Sequence, residues 1–171
     1  MVFGKEVFTG EDALKLDIEN RLKKSPRFKN KKEAEKYFLD YKSTYLEYLR
    51  TISKNSEMFE MDFTPDSLKR LELWYFYLKE NGKFSEENID ESKLLISISI
   101  YYGEILRRNT KKWKWVIDEY PFVKNTYDLF VGRLPHMGIM IQLNRKWAFY
   151  KIDNKRKQSL WREYKRYAEY W

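Results

Sequence analysis

The sequence predicts an α+β fold, mostly helical, with four to six helices around a buried central helix at about 91–107 and a small antiparallel hairpin at about 112–132. Three observations predict it. Leu94, Leu95, Ile98, Tyr101, Tyr102, Ile105 and Leu106 recur at i, i+3, i+4 and i+7, and Ile96 and Ile100 make a second flank apolar. A helix apolar on two flanks has to be covered on more than one side. Upstream, Ala34, Tyr37, Phe38, Tyr41, Tyr45, Tyr48, Leu49 and Ile52 form a long aromatic stripe at the same spacing. After Asn109 the period changes: Trp113, Trp115 and Ile117 alternate with Lys114, Val116 and Asp118, as a strand with one aromatic face does. No repeat, low-complexity tract or linker composition interrupts the chain, so one domain over 1–171 is expected.

The elements follow in order. Thr9 caps a first helix whose opening turn holds Glu11 and Asp12; Ala13, Leu14, Leu16, Ile18 and Leu22 run along it, and Ser25-Pro26 ends it. Asn30 opens the aromatic helix. Residues 55–63 read as a loop anchored by Met58, Phe59, Met61 and Phe63. Thr64-Pro65-Asp66 supplies a cap, an N1 proline and an acidic first turn. The helix that follows carries Leu68, Leu71, Trp74, Tyr75 and Leu78 to a stop at Asn81-Gly82. Ser85 or Asp90 starts the central helix. The Ile-Ser-Ile-Ser-Ile alternation inside it lasts five residues, against thirteen for the helical pattern. Tyr127–Val131 pairs with the 113–117 strand across a turn at 124–126. Residues 136–152 fit either class: Met137, Met140, Ile141, Asn144 and Trp147 favour a helix face, Ile139, Ile141 and Leu143 a strand, and the balance leans to helix. In a final helix, Leu160, Trp161, Tyr164, Tyr167, Ala168 and Trp171 share one side, the docking side.

Composition narrows the chemistry. There is no cysteine, so disulfides, thiolate nucleophiles and Cys-ligated metals are excluded. The single histidine, His136, excludes a two-His metal site within one chain. Neither a glycine-rich phosphate loop nor G-x-S-x-G is present. No cofactor or metal is expected. The opening residues lack a leader's basic-then-apolar pattern, and no apolar run approaches the ~20 residues of a membrane span. The expected location is the cytoplasm, with no membrane partner. Net charge is +8, unevenly placed: residues 1–106 carry 18 Lys and Arg against 20 Asp and Glu, residues 107–171 carry 16 against 6.

Candidate sites divide into two groups. Around the end of the central helix stand Glu104, Arg107, Arg108, Trp113 and Trp115. Glu104 with Asp118 or Glu119 would give paired carboxylates for acid–base work. The competing reading pairs Glu104 with Arg107 or Arg108, the latter in the favourable Glu-to-Arg order at i, i+4. The second group is basic: Lys111, Lys112 and Lys114, then Lys155, Arg156, Lys157, Arg162, Lys165 and Arg166. Cations interleaved with Trp161, Tyr164 and Tyr167 suit phosphates and stacked bases, but the aromatics fall largely on one helical face and the cations on the other, which favours an amphipathic helix docking on the core.

The sequence Tyr101-Tyr102-Gly103-Glu104, a basic turn, then Trp113-Lys114-Trp115-Val116 resembles a pattern in small uncharacterised bacterial α+β families, over about residues 65–152. Some of them sit beside toxin loci as suspected immunity proteins. The resemblance implies no catalytic residues; it implies a non-enzymatic role in binding another protein, immunity-like or regulatory. The alternative is nucleic-acid binding by the basic C-terminal third. Oligomeric state is left open by the sequence.

Overall fold

A computed structural model describes residues 10–133, 140–142 and 158–169. Their elements are α1 (Gly10–Lys24), α2 (Lys31–Ser53), α3 (Ser67–Glu80), α4 (Lys83–Glu86), α5 (Glu91–Asn109), β1 (Trp113–Glu119), β2 (Tyr127–Arg133), β3 (Met140–Gln142) and α6 (Ser159–Glu169). The fold is α+β and mostly helical, as the sequence predicts.

The central helix is α5. Residues 94, 95 and 97–106 are all buried along it, and it touches α2, α6, β1 and β2. Its start is set locally: Asp90 is extended, and its side chain accepts the Lys93 N–H at 3.1 Å. Asn30 caps α2 in the same way, accepting from the Glu33 N–H at 3.0 Å. Regular α3 begins three residues after Thr64. The N–H groups of Ser67, Leu68 and Lys69 first bond to the carbonyls three residues back, and Thr64 Oγ1 accepts from the Ser67 N–H. Gly82 ends α3 in the left-handed conformation, φ 63°, that other residues resist. The short α4 before Asp90 was not anticipated.

The sheet is three-stranded and antiparallel, in the order β1-β2-β3. Trp115 opposes Val131 and Ile117 opposes Leu129, so the aromatic face predicted for β1 and the apolar face of β2 turn together to the core. β3 corrects the leaning to helix at residues 140–142, which pair with β2 as a strand; the rest of 136–152 lies outside the described residues. The free edge of β2 supplies hydrogen-bond partners that local periodicity does not reveal. The rest of 134–157, with His136, Lys155, Arg156 and Lys157, lies outside the described residues, as do Thr9 and Trp171.

At α1 the structure departs from the apolar reading. The buried residue of this helix is Arg21, while Leu14, Leu16 and Leu22 are exposed. Arg21 spans to β2: its Nη1 donates to Asp128 Oδ1 at 3.0 Å, its Nε donates to Asp17 at 3.1 Å, and its guanidinium lies 3.6 Å above the Tyr120 ring. Tyr120 Oη donates to Asp17 at 2.7 Å. A buried charge tolerates this position only because carboxylates and a ring replace its water. Arg21→Ala takes the guanidinium from a carboxylate only 3% exposed. It is expected to cost about 3–5 kcal/mol, read by denaturant unfolding, with faster hydrogen exchange across α1. A loss under about 1 kcal/mol, as at an exposed pair, would refute the anchoring role.

Candidate functional site

The junction of α2, α5 and β1 brings together most of the first candidate group. Glu104, on the last turns of α5, is 5% exposed. Its Oε1 accepts Trp115 Nε1–H at 2.6 Å, and its Oε2 accepts Arg107 Nη2 at 2.9 Å and Arg108 Nε at 3.1 Å. Helical spacing puts the two arginines three and four residues on; the period of two puts Trp115 on the inward face of β1. Burial alone would push the Glu104 carboxyl up, but the donors Arg107, Trp115 and Arg108 outweigh it and hold the group below the ordinary glutamate range. A carboxylate so occupied is a structural hub and a poor proton acceptor.

Two residues join this cluster whose part in it sequence patterning did not predict, Lys42 and the loop anchor Phe63. Lys42, from the aromatic stripe of α2, sets its ammonium 4.6 Å from the Trp115 ring centre. Burial is the main force drawing this lysine below its ordinary pKa; Glu104 opposes it and Arg107 adds to it. Phe63 carries the Arg108 guanidinium 3.6 Å above its ring and holds φ at 58°. That conformation is costly for an aromatic residue. Its N–H is fixed by Tyr101 Oη at 2.9 Å and its carbonyl by Asn109 Nδ2 at 2.9 Å. A lysine within an aromatic stripe carries no periodic signal, and Phe63 reads in the sequence as an apolar loop anchor with nothing to mark it as a seat for Arg108.

Trp113 goes elsewhere. Its Nε1–H donates to the Tyr167 carbonyl at 3.3 Å and its ring meets the Tyr167 ring edge-on. The two tryptophans of β1 thus serve different contacts, one docking α6 and one closing over Glu104. Asp118 is exposed, its Oδ1 accepting the Glu119 N–H, and Glu119 accepts the Asn125 N–H at 2.9 Å. Of the basic group, Lys111, Lys112, Lys114 and Arg162 are exposed. Lys165 lies 5.0 Å from the Trp161 ring centre and Arg166 is 3.8 Å from Glu163.

The sign of the Glu104 effect fixes a pH dependence. A carboxyl whose folded pKa is depressed contributes stability that is present above its unfolded pKa and is lost as pH falls through the folded one. Wild-type stability should therefore fall below about pH 4.3, and Glu104→Gln should flatten that limb while lowering stability at pH 7 by about 1–3 kcal/mol. Denaturant midpoints from pH 3 to 7 measure it; parallel curves for the two proteins would refute the assignment.

On the opposite side of α2 a cleft of about 810 Å³ opens between the end of α2, the 55–58 loop and α3. Trp74 lies along it, Tyr77 and Met58 are each about two-fifths exposed in its walls, and Tyr48 closes one end. Glu57 and Glu87 line it and, among the described residues, no lysine or arginine does, though Arg50, Lys54 and Arg70 line the adjoining hollow that shares Ser56, Glu57 and Met58.

Among the described residues no group of three or more His, Asp or Glu is placed to hold a metal ion, and no helix is long and apolar enough to cross a membrane. No curated protein and no solved structure is significantly similar to the chain. A family model does match, over residues 27–168, from the start of the aromatic helix through nearly all of α6, a wider span than the 65–152 of the motif resemblance. Its description is Uncharacterised protein YwmA, and the chain belongs to that family.

Proposed function

We propose that this protein is a non-enzymatic binding module whose partner is another protein, of immunity or regulatory type, seated on the 48–88 face. One observation carries the reading. The cleft there is lined by Tyr48, Tyr77, Trp74 and Met58 with two glutamates and, among the described residues, by no lysine or arginine of its own, although Arg50, Lys54 and Arg70 line the hollow beside it that shares Glu57. Amphipathic aromatics at low side-chain entropy and a single sign of charge suit a cationic protein surface. The use of Glu104 as an ion-pair hub supports a non-catalytic role for the candidate of greatest chemical interest. Nucleic-acid binding by the C-terminal third draws less support, because Arg107 and Arg108 share Glu104, whose carboxylate offsets one of their two charges, and Arg166 lies beside Glu163.

The test is site-specific photo-crosslinking in the native host, with a benzophenone amino acid at Tyr77 and, as control, at Leu39, which is 60% exposed on α2. The expected result is one discrete adduct from position 77, absent from position 39 and lost on Glu57→Lys/Glu87→Lys. Adducts equal at both positions, or none at 77, would overturn the reading. A toxin gene beside this one would support the immunity form.

A further inference from the structure

We infer that the α1–α2 junction is a binding surface for single-stranded nucleic acid, independent of the cleft. Summed over residues 1–106 the charge is nearly balanced, which conceals a local extreme. Residues 21–32 contain Arg21, Lys23, Lys24, Arg27, Lys29, Lys31 and Lys32 and no acid. Arg21 is buried and paired; the other six are exposed, and no ion pair to any of them occurs among the described residues.

The segment is held in place. Phe28, 6% exposed, inserts its ring against Tyr127, and its N–H bonds to the Asn125 carbonyl at 2.9 Å. Arg27 Nη1 donates to the Lys124 carbonyl at 2.7 Å, which brings the exposed Lys124 of the hairpin turn beside the run. Acids border the run, among them Glu19 and Glu35, and several of them have partners. Asp17 and Asp128 hold Arg21, Glu33 accepts the Lys29 N–H at 2.6 Å, and Glu119 accepts the Asn125 N–H. Lys31 and Lys32 open α2, where the positive end of the helix dipole disfavours cations. The fold gains nothing from lysines at that place, whereas a phosphate chain gains from both the lysines and the dipole.

Aromatic rings flank the cations. Phe122, 58% exposed, packs on Tyr120, whose ring also meets the Arg21 guanidinium. Tyr37, 40% exposed, packs on Phe28 at 5.2 Å. Cations with exposed rings at their margins are the elements of single-strand recognition: phosphates are neutralised along the run and bases stack on the rings. An anionic membrane fits less well, because Glu11, Asp12, Asp17 and Glu19 on α1 would be pressed toward like-charged headgroups.

Fluorescence anisotropy with a labelled oligothymidylate of about 20 nucleotides tests the proposal, with all variants first checked for an unchanged melting temperature. Binding tighter than about 10⁻⁴ M is expected at physiological salt, with log K falling against log[salt] at a slope of about −3, as for four neutralised phosphates on a single strand. Lys29→Glu/Lys31→Glu/Lys32→Glu should weaken binding at least about tenfold and make the slope shallower by about 2. Phe122→Ala should weaken it about fivefold or more. Lys155→Glu/Arg156→Glu/Lys157→Glu should leave it within twofold. No binding, loss in the 155–157 variant alone, or equal affinity for polyglutamate or for vesicles of anionic phospholipid would overturn the proposal. The cleft reading would stand in each case.

Discussion

Ile98→Asp is expected to abolish soluble folding. Ile98 sits at the middle of α5, is fully buried and has buried neighbours on both flanks. With α2, the sheet and α6 all packed on this helix, a carboxylate at 98 has no path to water. It would meet Ile105, Leu94 and Tyr101 layers that offer no cation. Removing an isoleucine costs about 2–5 kcal/mol as a cavity, and burying an unpaired charge adds several more. Their sum reaches the whole stability of an ordinary domain, about 5–15 kcal/mol. Expression with and without the substitution, followed by circular dichroism of any soluble fraction, measures the outcome. A soluble variant with an unchanged melting temperature would show that α5 is open on one face. Ile98→Val, which keeps the apolar surface, should cost only about 1 kcal/mol.

The same two-sided burial explains why α5 was legible. Apolar residues on two flanks at helical spacing have one physical solution, a helix covered by neighbours. The inward face of β1 was legible for the matching reason at period two. Legibility failed where one residue's role depends on a distant partner. Leucines 14, 16 and 22 promised an apolar face on α1, but Arg21 is the residue that α1 buries, because Asp128 waits 107 positions away on β2. β3 is three residues long and exists by pairing with β2; so short a piece has no period of its own. At the candidate site, spacing offered Arg107 or Arg108 as the partner of Glu104; the structure shows that both hold it and adds Trp115 across the turn. Phe63 was legible as a loop anchor, but its role and that of Lys42 beside Glu104 were not, because those roles lie in what the side chains face. The cation run at 21–32 does not show in the balance of residues 1–106, because its seven cations are offset there by acids outside the run.

The other large effect is expected at α6. Leu160 is fully buried and Tyr164 is 8% exposed, while Trp161, Tyr167 and Ala168 pack on the core. Tyr102 of α5 lies under this helix; burial first, then Glu163, Tyr167 and Tyr164, push its hydroxyl well above the ordinary tyrosine pKa. The entry of α6 is fixed by a carboxylate from another element. Glu72, 2% exposed on α3, accepts the Ser159 N–H at 3.0 Å, the Ser159 hydroxyl at 3.1 Å and the Leu160 N–H at 2.9 Å. It caps the helix from outside, placing negative charge where the dipole is positive. Deleting 155–171 would uncover Trp113, Tyr102 and the carboxylate of Glu72 at once. Reburial of apolar surface worth about 25 cal/mol per Å² would be lost, and a charged group left without donors costs more. The expected product is insoluble, or molten with helical circular dichroism but no cooperative melting. Glu72→Ala separates the cap from the packing: it should cost about 2 kcal/mol and leave a cooperative transition, since Leu160 and Tyr164 still fill their sites. A truncated chain that keeps its melting temperature would make α6 an independent arm. A Glu72→Ala protein indistinguishable from wild type would assign the docking to the apolar face alone.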